Sequence, residues 1–147
     1  MMKIKQGITE KDREILTLWG YSYFKDYIDK YNFTHIIKSE VNWDISLLLV
    51  DSDEEIYGMY LLGDNNLSNL GFNQYDGMVG LEGVLLLVDE DFRGQGYGDQ
   101  LKNHPSTLGI DYIWGQQLKS LDNLNDWLKR RELVHETEYF YITSEIF

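Results

Sequence analysis

Glycine occupies every second position in Arg93-Gly94-Gln95-Gly96-Tyr97-Gly98, directly after the apolar run Val84-Leu85-Leu86-Leu87-Val88 and the approach Asp89-Glu90-Asp91-Phe92. The order is a buried strand, a glycine turn and then a helix beginning near Tyr97. Glycines let successive backbone amides converge without Cβ obstruction. A helix start behind them adds orphan N–H groups and a positive dipole end, which together favour an anion. The Arg93 guanidinium at the rim matches phosphate oxygens. The chemistry on offer is the holding of a phosphate or diphosphate. Two rival cradles do not fit: Gly98 is followed by Asp99-Gln100 where a Walker loop needs Lys-Ser/Thr. The Gly-x-Gly-x-Gly spacing in mid-chain also departs from the dinucleotide fingerprint at a first strand.

Arg93-Gly94-Gln95-Gly96-Tyr97-Gly98 resembles the Gln/Arg-x-x-Gly-x-Gly/Ala signature of the GNAT family of acyl-CoA-dependent N-acetyltransferases. Leu87 to Phe92 is similar to that family's strand and approach loop, and Val50 to Gly58 to its second hairpin. The resemblance is specific over 82–101 and architectural elsewhere. It implies acetyl-CoA as co-substrate, with the pyrophosphate on the amides of Arg93, Gly94, Gln95, Gly96, Tyr97 and Gly98. The pantetheine arm would add beside Leu87 and Val88, and the Val88 amide would donate to the thioester oxygen. Glu82 stands where several lysine-acetylating relatives keep a general base; a solvated strand-end carboxylate or an anchor for substrate charge is the other reading. The family's general-acid Tyr aligns with Leu128, which leaves Tyr139 or Tyr141, Ser120, a water or no acid; Tyr141 is the candidate taken forward. A thiol of pKa near 8.5 can depart unprotonated. Asn123, or Asn125, would supply the family's asparagine contact to pantetheine. The implied reaction is direct acetyl transfer to a primary amine of a small molecule or protein, and the rival is a non-catalytic acyl-CoA-binding module of the same fold.

The rest of the chain narrows the chemistry. With no cysteine, disulfides, thiolate metal sites and acyl-cysteine intermediates are excluded, and a reduced, cytoplasmic setting suits the sequence. His35, His104 and His135 lack metal-ligand spacing, and Asp64 to Asn69 lacks the glycine and glutamate of a calcium loop, so no metal is expected. A net charge of −12 opposes binding to nucleic acid or anionic membranes and favours cationic partners. No signal peptide or membrane span is expected, since the longest apolar run ends after five residues.

The elements that must position these residues read as one α+β domain over 1–147, with a mixed sheet and helices on its faces. Met2–Ile8 reads as a strand and Thr9 as the cap of a helix with Ile15, Leu18 and Trp19 inward. Tyr21–Phe33 reads as a second, aromatic helix. Ile45–Asp51 and Ile56–Leu62 form a hairpin, and an Asn- and Gly-rich loop runs from Gly63 to Gly80. Leu81–Asp89 is the central strand, followed by a short helix stopped near Pro105 and a strand over Ile110–Gly115. A helix over Ser120–Arg131 and a closing strand over Glu138–Phe147 complete the chain. The resemblance implies the GNAT fold, a central mixed twisted sheet of six to seven strands flanked by about four helices, with a V-shaped opening after the strand at Leu81. Dimerisation is common in that family, and the edge of the closing strand would offer a surface for a homodimer.

Overall fold

The computed structural model describes residues 1–119 and 131–147. Seven strands form one mixed sheet: β1 (Lys3–Gln6), β2 (Leu47–Val50), β3 (Ile56–Gly63), β4 (Gly80–Val88), β5 (Tyr112–Leu118), β6 (Glu132–Glu136) and β7 (Phe140–Ile146), in the order β1-β2-β3-β4-β5-β7-β6. The described helices are α1 (Glu10–Phe24), α2 (Lys30–Glu40) and α3 (Tyr97–Asn103). None of them is long and apolar enough to cross a membrane. Every pairing is antiparallel except β4 with β5.

That parallel pair holds only at Gly80–Glu82 against Tyr112–Trp114. Beyond Glu82 the two strands part, and β5 continues against β7 while β4 stays with β3. The V-shaped opening expected beside the central strand is therefore present. Also on β4, Leu61 pairs with Leu85 but Leu62 with Gly83, so Val84 is an extra, bulged residue. A bulge shifts the two-residue side-chain alternation by one. Leu85 and Leu87 face the core layer that also packs Leu16, Phe33 and Ile37 of α1 and α2. Simple alternation would put Glu82 on the opposite face with Leu86 and Val88; the bulge returns it to the α1–α2 side.

Several sequence expectations shift. Tyr21–Phe33 is not one helix. α1 runs on to Phe24, and α2 starts at Lys30, capped by Asp29, whose Oδ1 accepts the Asn32 amide at 2.8 Å and whose Oδ2 accepts the Asn32 side-chain amide at 2.7 Å. The aromatic spacing arises because the two helices stack Phe24 and Tyr21 on Phe33. The buried face of α1 carries Leu16 and Gly20, while Ile15 and Leu18 are exposed. A Cβ on Gly20 would meet Leu85 Cδ2 at 2.6 Å, so the glycine sets how closely α1 approaches β4. The Thr9 hydroxyl donates to the Asp12 carboxylate at 3.3 Å rather than capping an amide. The long loop is pinned by buried Leu67 and Tyr75, by Trp114 Nε1 to the Asn65 carbonyl at 2.8 Å, and by Tyr75 Oη to Ser144 Oγ at 2.6 Å. Glu132 and Leu133 belong to strand β6, not to a helix end. The closing strand β7 lies between β5 and β6, so it has no free edge to offer a second copy. The helix expected at Ser120–Arg131, and Asn123, Asn125 and Leu128 within it, fall outside the described residues except for Arg131.

Candidate active site

Two cavities back onto β4. The first, about 280 Å³, is lined by Leu86, Leu87, Val88, Phe92, Arg93, Gly94, Gly96, Tyr97 and Gly98. A short 3₁₀ turn over Glu90–Phe92, whose cap Asp89 accepts the Asp91 amide at 2.9 Å, brings Phe92 into its lining. Gly94 and Gly96 then take φ of +79° and +84°, the left-handed region that side chains resist, and a Cβ on either would project into open space. Gly96 caps α3, and its carbonyl accepts from the Gln100 amide at 3.0 Å. The amides of Tyr97, Gly98 and Asp99 consequently have no partner within the helix. Asp89 N donates to the Tyr57 carbonyl at 2.8 Å, so strand alternation turns the Val88 amide the other way, into the opening between β4 and β5.

Arg93 does more than stand at a rim. Its Nε donates to the Val88 carbonyl at 2.9 Å, and its guanidinium lies 5.2 Å from the centre of the Tyr23 ring. The Tyr23 hydroxyl donates to Glu90 at 3.3 Å, so the end of α1 holds the loop against β4. Tyr23 comes from the segment whose aromatic spacing suits a pocket wall, and Phe92, from the approach loop, packs its ring 4.6 Å from Tyr57. Gln95 is exposed and does not line the cavity.

The second cavity, about 210 Å³, lies on the α1–α2 side, with β4 contributing Glu82 to Leu85, β5 Gln116 and Leu118, and β7 Phe140. Glu82 is 3% exposed, and its Oε2 is buried without a hydrogen-bond donor. Burial, with repulsion and contact from the Glu40 carboxyl against it, pushes its carboxyl up to about 8. Glu40, the last residue of α2, also lines this cavity. It can satisfy Glu82 only when one of the two carboxyls carries a proton, as in other paired carboxyls. Gly63 makes the approach feasible: it pairs with Glu82 across the sheet, and a Cβ there would strike the Glu40 carbonyl. The Asn42 amide donates to the Leu62 carbonyl at 2.8 Å, which ties the exit of α2 to β3 beside them.

Glu82 to Leu85 and Leu86 to Val88 thus place the two cavities end to end along one strand. Tyr141 is not brought to either. It lies on the sheet face opposite Glu82, opposite Glu136 in the ladder with β6, with the Lys119 ammonium 5.0 Å from its ring centre. Lys119 also pairs with Glu136 at 2.7 Å.

The architecture is that of the GNAT acetyltransferases. A GNAT-family acetyltransferase from Listeria monocytogenes is 12% identical, with a TM-score of 0.71 over 99% of this chain and 95% of that one. NAA60 of Arabidopsis thaliana in complex with acetyl-CoA is 17% identical, with a TM-score of 0.67 over the whole of both chains. The PaiA N-acetyltransferase of Thermoplasma acidophilum, in complex with coenzyme A, is 12% identical, with a TM-score of 0.62 over 100% and 99%. No protein-family model matches the sequence, and no curated protein matches it. What is shared at these identities is the fold.

Proposed function

We propose that the protein is an acetyl-CoA-dependent N-acetyltransferase that moves the acetyl group directly to a primary amine. The observation that carries this reading is the continuity along β4 of a glycine-built anion cradle with a buried carboxyl pair, joined where β4 and β5 part. The cradle fits the coenzyme: its left-handed glycines, unpaired helix-start amides and the Arg93 guanidinium suit a diphosphate, and the open side of β4 suits an extended arm. Two of the solved structures with this fold are complexes with acetyl-CoA or coenzyme A, which supports the same ligand here.

Acetyl-CoA, when bound, supplies the activated acyl group. The chain's own residues do the rest. Gly94 to Gly98 and Arg93 hold the diphosphate, and the Val88 amide is turned to donate to an oxygen in the opening. Glu82 takes a proton from the incoming ammonium, which otherwise stays protonated at neutral pH. As the N–C bond forms and the C–S bond breaks, the electron pair leaves on sulfur. Of the two protons the ammonium loses, one rests on the carboxyl pair and the other ends on the thiolate. Tyr141 is given no part in this reading, because its face and its Glu136–Lys119 surroundings keep it from both cavities.

The test is thiol release from acetyl-CoA against a panel of primary amines. Amine-dependent release that Gly96→Glu and Glu82→Gln each lower strongly supports the reading. Binding of the coenzyme with no release for any amine would make this a non-catalytic binding module.

A further inference from the structure

The cavity beside Glu82 has two kinds of surface. Among the described residues its ammonium-binding chemistry is confined to Glu40 from α2 and Glu82 from β4. The remaining polar side chains of the described lining are Gln116 and the Tyr27 hydroxyl from the turn between α1 and α2, while β7 presents Phe140. The rest is apolar: Phe24, Ile28, Phe33, Ile36 and Ile37 on one wall, and Val84, Leu85 and Leu118 on the other. At about 210 Å³ it is smaller than the clefts of about 300–1,000 Å³ that hold drug-sized ligands.

We infer that the acceptor is a small monoamine with an apolar body, arylalkyl or branched alkyl, whose ammonium sits on the Glu40–Glu82 pair while the body lies against Phe24, Phe33, Ile37 and Phe140. This rests on the acetyl-transfer reading above and narrows it. The carboxyl pair has a buried oxygen lacking a donor, and an ammonium brings three donors in one compact group. A second ammonium, as in a polyamine, would meet aliphatic and aromatic walls with no further carboxylate among the described residues, and burying an unpaired charge is costly. A hydroxyl-rich amine such as an aminosugar would leave most of its hydroxyls unbonded there, with the same consequence.

The experiment measures amine binding without acetyl-CoA by isothermal titration, and thiol release with it. The probes are 2-phenylethylamine, isopentylamine, spermidine, 2-phenylethanol and a tetrapeptide with a free N-terminus. The expected result is that 2-phenylethylamine or isopentylamine binds at least tenfold more tightly than spermidine or 2-phenylethanol and outpaces the tetrapeptide in thiol release. Glu40→Gln should weaken the preferred amine about tenfold. Ile36→Glu, which places a second carboxylate in the apolar wall, should move the spermidine-to-monoamine affinity ratio toward spermidine, a readout internal to one protein and independent of its stability. Selective monoamine binding with no thiol release would leave the monoamine site standing and remove the transferase reading. Thiol release with spermidine or the tetrapeptide matching or exceeding both monoamines, or a ratio unmoved by Ile36→Glu, would overturn the inference and leave the transferase reading intact.

Discussion

On its α3 side β4 meets a cavity built from backbone, and on its α2 side one built from side chains. The cradle spends glycines at 94, 96 and 98 to expose amides, and its one charged anchor, Arg93, is held by the Val88 carbonyl and the Tyr23 ring. The carboxyl pocket is the reverse: Glu82 is shut away from water, faces a like group, and is surrounded by hydrocarbon. In the proposed reading a diphosphate is common to every molecule of one cofactor, so fixed backbone donors suffice to grip it. On the same proposal an acceptor amine is distinguished by its body and must lose a proton, so the other cavity needs shape and a perturbed acid. The same strand serves both because a bulge at Val84 reverses which face its residues present.

The sharpest break between the two cavities is Glu82→Gln. It should lower kcat/KM for amine acetylation about 100-fold, the lower range of a general base's worth, while calorimetry finds acetyl-CoA affinity within about twofold of wild type. Gly96→Glu should do the converse. It forces a side chain into a left-handed conformation costing roughly 1–2 kcal/mol and adds a negative charge to the cradle, so acetyl-CoA binding falls by about 30-fold. Amine binding, titrated alone, stays as it was. Arg93→Ala should weaken acetyl-CoA about tenfold through loss of a charge-assisted contact, with a flatter dependence on salt than wild type.

The smallest effects sharpen the electrostatic side. With the Glu82 carboxyl at about 8, kcat/KM should rise with pH and level off above that value. Glu40→Gln removes the like-charge contribution but not the burial, so the limb moves to lower pH without disappearing. Stability runs the other way. Between the ordinary carboxyl range near 4.5 and about 8, the folded protein holds a proton that the unfolded chain has released, so this group lowers stability as pH rises across that window. Thermal melts of Glu82→Gln should therefore lose less stability than wild type between pH 5 and pH 9, by on the order of a few kcal/mol.

Legibility from the sequence divides along the same line. The geometry of the turn can be read because it lies in contiguous backbone: glycine at 94, 96 and 98 means the same thing wherever the strand and helix end up. Leu87 and Val88 line the same cavity, and the part expected of them toward a pantetheine arm comes from the family resemblance alone. The carboxyl pair could not be read. Glu40 and Glu82 lie far apart in the chain, and they meet through a bulge that no residue type at Val84 announces and through Gly63, whose missing Cβ leaves room for the Glu40 carbonyl. Strand alternation taken from sequence alone even assigns Glu82 to the wrong face. Asp29 followed three residues later by Asn32 was a readable start for α2, but the aromatic period across it masked the break. In α1, Gly20 on the buried face hid the true stripe, because a residue without a side chain adds no hydrophobic signal. Strand β6 is mostly exposed, with only Val134 half-buried, and it has little apolar alternation to reveal it.

The account stands on backbone recognition at the turn after β4, and amide chemical shifts report on it directly. In a titration of the ¹⁵N-labelled protein with acetyl-CoA, the amides of Gly94, Gly96, Gly98 and Val88 should move together and saturate at one equivalent. Saturation elsewhere with these four unmoved, or no saturable change at all, would contradict it.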